Sequence, residues 1–401
     1  MLISYKNYFQ MPIALLKFPY DLLGEVFKQC NPIELYCLSK CSKRTRNSVK
    51  SGGKINWKIS YWSSEKIMIC GNGLDYVFKA TEKQEDYFKI ESYQGYKSMQ
   101  IPMEGVVEMF FYLLDTLRIC IVQTLGLQFD KHFDNFSKVA KVLMERNLEI
   151  ERLSIGFIDD VQDLANFMPL ISQMRITKEF AFAPMFPADF HYQLINYPRY
   201  IHIIYACRFD TNQLLNCTCS RIKLRNSTLS NQDLNIFFRQ WKTAGTFPNL
   251  QWLEIDSKKI DNQFAILDMV PPITRVENPQ KQVSIRFGDG QNDEVMIFDA
   301  VRVYKDDGTE AWLKVKLGDV PELEFLVCNP DNTKVEEIEW SDDDDDHGGV
   351  RVPIEEYENR AWDDEEIDGE DSDEEESDEE ESDEEESDDD ETDYEESSDE
   401  N

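Results

Sequence analysis

Apolar residues near the N-terminus recur at the spacing of a helix. Pro19 stands just before them, at a first-turn position where the missing N–H of proline costs nothing. The following positions i, i+1, i+4 and i+5 form one apolar face, which predicts a short helix. They are Leu22, Leu23, Val26 and Phe27.

A second helix is predicted directly after the first. Asn31 can cap its first turn, Pro32 suits the first helical position, and Glu34 can reach back to the N–H of the cap. Leu35 and Leu38 continue the apolar face of this helix. A short basic segment that follows predicts a third helical element.

The pattern then changes to that of strands. Residues 54–61 alternate polar and apolar side chains, which predicts a half-buried strand. Gly71-Asn72-Gly73 separates two apolar runs and predicts a β-hairpin. A phosphate-binding loop is the alternative for these glycines, but the Lys-Ser/Thr pair of such a loop is missing.

Residues 103–180 combine helical faces with one strand. Broad apolar faces predict helices near 106–114, 136–143 and 161–168, the last ending near Pro169. Residues 150–155 read as a short strand between the second and third of these helices. From 281 to 328 the chain returns to short strands joined by Asp-Gly turns.

Residues 219–256 predict a strand, a helix and a second strand. Ser230 and Asp233 form a capping box at the start of the helix. Its apolar face consists of Leu234, Phe237, Phe238 and Trp241. A strand–helix–strand path of this length suits a right-handed crossover between parallel strands.

A short apolar pattern occurs at 150–155, 219–224 and 250–255. The last two copies are 31 residues apart, which is similar to degenerate leucine-rich repeats, where strands line one wall and helices back it. An irregular α/β domain with similar strands is the alternative. In either case Trp252, Glu254 and Asp256 would point away from Leu253 and Ile255 and are candidates for a substrate-binding wall.

The net charge of −37 is confined to the C-terminus. Residues 341–401 hold 36 Asp and Glu against 2 Arg, whereas residues 1–340 hold 43 acidic and 40 basic residues. So acidic a segment, with few apolar residues, predicts a disordered tail. Its five-residue repeat places acidic residues after candidate phosphorylation sites for acidophilic kinases, at Ser372, Ser377, Ser382 and Ser387.

Other kinds of chemistry find little support in the sequence. Nine cysteines without a repeated CxxC pair, and only four histidines, predict reduced, buried thiols and no metal site or cofactor. Enzyme motifs are missing, so no catalytic residue is expected. No apolar run is long enough to span a membrane, and no basic stripe suggests nucleic acid.

Residues 12–46 resemble an F-box. The resemblance rests on Phe18-Pro19, Val26-Phe27, the run from Asn31 to Leu35, and the run from Leu38 to Arg44. Phe18 replaces the usual Leu, and Asp21 replaces the usual Glu. Residues 222–255 resemble the type 2 F-box-associated domain of nematode F-box proteins, through Leu224–Ser227, Asp233–Trp241 and Pro248–Leu250.

The resemblance implies an α+β chain with three parts. These are a three-helix F-box at 1–50, an F-box-associated domain at 51–340, and the acidic tail at 341–401. It further implies an intracellular, cytoplasmic or nuclear, non-catalytic receptor subunit of a cullin-type ubiquitin ligase, with an unknown protein target. A Skp-type adaptor, joined to the cullin scaffold, would contact Phe18, Pro19, Leu22, Leu23, Val26, Pro32, Ile33, Leu35 and Leu38. The alternative is an acidic scaffold or chaperone for basic proteins such as histones.

Overall fold

The computed structural model describes residues 17–51, 56–63, 66–71, 73–158, 161–187, 189–275, 280–288 and 293–338. The chain divides into two units, Met1–Trp340 and Ser341–Asn401. The start of the F-box resemblance, at residues 12–16, lies outside the described residues. The whole acidic tail with its four candidate serines lies outside them as well.

Three short helices form the N-terminal part: α1 (Tyr20–Gln29), α2 (Pro32–Cys41) and α3 (Lys43–Ser51). The expected capping box opens α2. The Glu34 backbone N–H donates to Asn31 Oδ1 at 3.0 Å, and the Asn31 N–H donates to Glu34 Oε2 at 2.9 Å. These bonds satisfy N–H groups that find no partner inside a helix.

An antiparallel and parallel group of strands follows: β1 (Lys58–Trp62), β2 (Lys66–Gly71), β3 (Leu74–Thr81), β4 (Ile90–Ser92) and β5 (Tyr96–Pro102), with helix α4 (Val106–Thr116). The predicted hairpin joins β2 to β3. Gly73 takes a φ of +76°, which glycine adopts without the strain of a side chain.

Six parallel strands then lie side by side in chain order. They are β6 (Ile121–Leu127), β7 (Glu149–Ile155), β8 (Ile176–Phe182), β9 (Tyr200–Ile203), β10 (Arg221–Ser227) and β11 (Trp252–Ser257). Their first residues are spaced by 21 to 31 positions, the spacing of short structural repeats. The three segments with the shared apolar pattern become β7, β10 and β11.

Helices connect most of these strands: α5 (Phe133–Glu145), α6 (Gln162–Ile171), α7 (Thr211–Asn216) and α8 (Asn231–Lys242). Their apolar faces share one core with the inward side chains of the strands, such as Ile222 and Leu224. Helix α6 ends near Pro169, as predicted, but continues two residues beyond it to Ile171. Burial of Met168 and Ile171 in the core favours this last turn although Pro169 lacks an N–H.

The remaining strands are β12 (Gln280–Arg286), β13 (Glu294–Phe298), β14 (Val301–Tyr304), β15 (Glu310–Lys316), β16 (Glu322–Val327) and β17 (Thr333–Ile338). Strands β16, β15 and β14 extend the main sheet beyond β11, which gives it 14 strands. Strands β13, β12 and β17 form a separate three-stranded sheet, the small sheet. The chain therefore has the mixed α+β fold expected, with helices first and a sheet-rich body after them.

Candidate protein-binding surfaces

Four of the nine candidate adaptor contacts are already used inside the chain. Leu23, Ile33 and Leu35 are buried in the main core, and Pro32 is buried at the start of α2. Two others, Pro19 and Leu22, are exposed, with Leu22 at 46%. The last three are half-buried: Phe18, Val26 and Leu38. The outward apolar residues therefore come mainly from the start of α1.

Tyr112 of α4 joins α2 and α3 to the body. Its hydroxyl lies 2.8 Å from the Ser39 hydroxyl, and its ring meets the Tyr36 ring edge-on at 5.9 Å. Tyr36 also packs edge-on against Phe78 of β3 at 5.8 Å. Burial, with a further contribution from Tyr112, raises the pKa of Tyr36 to about 12. Sequence reasoning missed Tyr112, because nothing in its local pattern marks a contact more than seventy residues away.

The candidate substrate wall on β11 is largely closed. Trp252 is only 3% exposed, because the small sheet covers it together with Trp312 and Leu326. The expectation that Trp252 is available to a partner is therefore wrong. The predicted alternation is right, because Trp252 lies on the sheet face opposite the helices. This face is called the open face below. A second core forms on it between the main sheet and the small sheet.

Arg221 holds the small sheet against the open face. Its guanidinium carbon lies 4.0 Å from the ring centre of Phe287 and 4.4 Å from that of Tyr200. It also pairs with Asp293, which immediately precedes β13. Both members of this ion pair are mostly buried, so the pair also tethers the chain near β13 to β10.

The two carboxylates of the proposed wall are partly buried. Glu254 pairs with Lys223 at 3.3 Å, and Asp256 accepts a hydrogen bond from the backbone N–H of Asn226. Burial raises the pKa of both carboxyl groups, with Glu322 adding to the effect. Lys223 partly opposes both shifts. These groups form a charged network of the sheet and present little free carboxylate to a partner.

Strands β6 to β9 carry a different outward feature at their carboxyl ends. Phe129, Phe157 and Met185 follow β6, β7 and β8, are exposed by 55 to 60%, and lie 28 residues apart in sequence. The Tyr205 ring, after β9, meets the Phe157 ring at 6.3 Å. These four residues are called the apolar rim; Phe129, Phe157 and Met185 are exposed, and Tyr205 is half-buried. Exposed apolar side chains at one edge of a sheet are candidates for a protein interface. The equal spacing of Phe129, Phe157 and Met185 is the signal that sequence reasoning overlooked.

The cysteines agree only in part with expectation. All nine are free thiols, but Cys37, Cys41 and Cys120 are exposed, whereas Cys217 and Cys219 are buried. Cys37 and Cys41 stand one turn apart on the outer side of α2, so helix geometry places them in solvent. In the described part of the chain, no three His, Cys, Asp or Glu residues are arranged to hold a metal ion. None of the described helices is long and apolar enough to cross a membrane.

Comparison with known families matches two regions of the chain. The model of the F-box domain matches residues 15–55, which contain α1, α2 and α3. A model described as F-box associated matches residues 189–255, which contain β9, α7, β10 and α8 and reach into β11.

One curated protein is similar over a longer stretch. The Skn-1 dependent zygotic transcript 15 protein of Caenorhabditis elegans is 22% identical over 278 residues. The aligned region covers 61% of this chain and 79% of the relative. No solved structure matches the chain.

Proposed function

Because the chain is an F-box protein with an F-box-associated domain, we propose that it is the substrate-recognition subunit of a Skp-cullin-F-box type ubiquitin ligase. In this role α1–α3 bind a Skp-type adaptor, and the associated domain binds a protein target. The chain itself is not an enzyme. It holds the target close to a ubiquitin carrier, and this proximity accelerates transfer.

The exposed apolar residues of α1 are the observation that carries the proposal. Pro19 and Leu22 face outward next to the half-buried Phe18 and Val26. A helix from a partner can cover such a surface and remove its apolar area from water. Leu23, Pro32, Ile33 and Leu35 then contribute indirectly, because they hold the helices in place from inside.

Substitution of Leu22 tests this surface. Leu22→Asp places a charge where the adaptor is expected to pack, and we expect its affinity for a purified Skp-type adaptor to fall by about tenfold or more, as at the centre of an interface. Isothermal titration calorimetry measures the change. Gln29→Asp, an exposed position of the same helix, is the matched control and should change affinity less than about twofold, like other surface positions.

The proposal fails if Leu22→Asp binds the adaptor as tightly as the unsubstituted chain. Circular dichroism and thermal unfolding must first show that both variants are folded. Because Leu22 is already exposed, its replacement should leave the stability of the chain nearly unchanged.

For the protein target, we propose the open part of the associated domain. The apolar rim that follows β6–β9 supports this assignment, whereas the small sheet covers Trp252 on β11. Glu254 and Asp256 lie on β11, which β10 separates from this region. Affinity purification with the proteasome inhibited, compared between the chain and Phe157→Asp, identifies targets that depend on the rim.

An acidic scaffold or chaperone is the second candidate function. It is favoured by the 36 acidic residues of positions 341–401, which attract basic proteins such as histones. Phosphorylation of the four repeat serines would add negative charge. At physiological salt this attraction is short-ranged, because screening acts beyond about 8 Å.

A further inference from the structure

The N-terminal helices carry a second surface, which is defined by charge. Residues 35–64 contain seven Lys and Arg residues and no Asp or Glu, in a chain with 79 acidic residues. The described cations of α2 and α3 are called the basic surface below; they are Lys40, Lys43, Arg44, Arg46 and Lys50.

The packing of α3 turns these cations away from the core. Thr45 and Val49, one turn apart, are buried and fix the inner side of the helix. Lys43 and Arg44 are consequently exposed, and Lys50 is half-exposed near the last turn. Among the described residues, Lys43 and Lys50 have no acidic partner within ion-pair distance.

Two cations of the basic surface converge on one ring. Lys40 Nζ lies 3.9 Å from the centre of Tyr112, and the Arg46 guanidinium carbon lies 4.4 Å from it. Arg46 Nε is buried and has no hydrogen-bond acceptor in the described part of the chain. The ring stabilises the two cations in part, but like charges this close repel each other unless negative charge lies nearby.

From this arrangement we propose that the basic surface docks an acidic segment of a partner protein. Helix α3 has nine residues and is about 13 Å long, which matches roughly four residues of an extended chain. Three or four carboxylates of such a segment can therefore pair with the cations. The basic surface differs from the apolar adaptor site in how it binds. The basic surface attracts its partner by charge, whereas the adaptor site gains affinity by burying Leu22.

Nucleic acid fits the basic surface less well. Binding to a duplex rests on many phosphate contacts, and single strands need aromatic rings on which bases stack. The aromatic ring at this surface, Tyr112, is already occupied by Lys40 and Arg46. A compact group of cations without a free ring favours an acidic peptide.

The test measures binding of a fluorescent twelve-residue peptide of alternating Glu and Gly by anisotropy. The full chain is used, together with residues 1–340, because the charge of the tail repels an acidic peptide at a distance. The first unit is compact and contains all the described helices and strands. Affinity should fall about tenfold or more between 50 and 300 mM salt, as expected when several ion pairs are screened.

Charge reversal locates the site. Lys43→Glu with Arg44→Glu should weaken peptide binding about tenfold or more, since two attractions become repulsions. Lys138→Glu with Lys141→Glu, two exposed lysines of α5, makes the same change in net charge and should have an effect of less than about threefold by screening. Leu22→Asp should leave peptide binding unchanged, which separates this surface from the proposed adaptor site.

Three results would overturn the inference. The first is an absence of peptide binding by residues 1–340 at low salt, and the second is an equal loss in the two reversal variants. The third is tighter binding of a DNA duplex with the same number of charges, which would identify a nucleic-acid surface instead. Lys43→Gln with Arg44→Gln, which removes the two charges without reversing them, provides a second variant if the charge reversal unfolds the chain.

Discussion

At the scale of single residues, two glutamates of the open face stand side by side between two lysines, an arrangement that only the folded chain shows. Glu254 and Glu324 are directly opposed on β11 and β16, and like charges so placed destabilise a sheet. Lys223 and Lys314 flank them in the same row of the sheet. Alternation along β11 predicted the direction of Glu254, but its pairing with a residue seventy positions later is not written in any local pattern.

The partly buried pair of Glu254 and Glu324 predicts a dependence of stability on pH. Burial raises the pKa of Glu324, so the folded chain holds this proton more tightly than the unfolded chain does. Ionisation of Glu324 therefore costs stability as pH rises from the ordinary carboxyl range through the raised pKa. Glu324→Gln cannot ionise, and its free energy of unfolding, relative to the unsubstituted chain, should increase from pH 4 to pH 7.

Urea denaturation at the two pH values measures this difference. Subtracting the unsubstituted chain removes the contribution of the tail, which both proteins share. Glu82→Gln, at an exposed position, is the control and should show no such trend. A difference that stays constant or falls toward pH 7 would contradict the argument from burial.

At the scale of elements, local signals predicted the described helices except α7, but not their docking. The capping box of α2 and the apolar face of α8 appear in the structure as the sequence indicated. The attachment of α2 to α4 through Tyr112 depends on tertiary packing between distant segments. The same limit explains Trp252: its strand and face were predictable, whereas the sheet that covers it was not.

The Tyr112 contact predicts a graded loss of stability. Tyr112→Phe removes the hydroxyl 2.8 Å from Ser39 and should cost about 1 kcal/mol, the usual contribution of one hydrogen bond. Tyr112→Ala also removes the ring beneath Lys40 and Arg46 and should cost about 3 kcal/mol, as for other large-to-small changes at packed aromatic residues.

Hydrogen exchange shows where this loss occurs. Amide protons of α2 and α3 should exchange faster in Tyr112→Ala, whereas those of β10 and α8 should keep their protection, because local opening is confined to the weakened contact. Uniform acceleration across the chain would mean that Tyr112 supports the whole core and not the attachment of the helices.

At the scale of the whole molecule, strand order was the hardest feature to predict. The shared apolar pattern identified β7, β10 and β11, but β8 and β9 lie between β7 and β10 with different sequences. Their inward residues, such as Phe180 and Ile201, are buried as firmly as those of the recognised strands. Packing against a layer of helices requires apolar residues at the inward positions of a strand but does not fix which apolar residues they are. A structural repeat can therefore persist although its sequence pattern is no longer recognisable.

Removal of the tail distinguishes the two candidate functions. Deletion of 341–401 should change the affinity for a Skp-type adaptor by less than about twofold, because α1–α3 lie outside the deleted segment and salt weakens long-range interactions between charges. If the chain is instead an acidic scaffold, the deletion should abolish binding to purified core histones. Calorimetry with both ligands separates the outcomes, and a large loss of adaptor binding would contradict the receptor assignment.

The consecutive order of β6 to β9 has a consequence for how such a chain can change over time. The connection after each of these strands begins at the same edge of the sheet. Backbone hydrogen bonds between neighbouring strands continue just beyond the strand ends, as in the bond from the Gly156 N–H to the Leu127 carbonyl. Mutations in one connection therefore change one position along that edge and leave the neighbouring connections unchanged. During evolution the binding specificity can therefore change through one connection at a time, while the strands of the sheet keep their pairing.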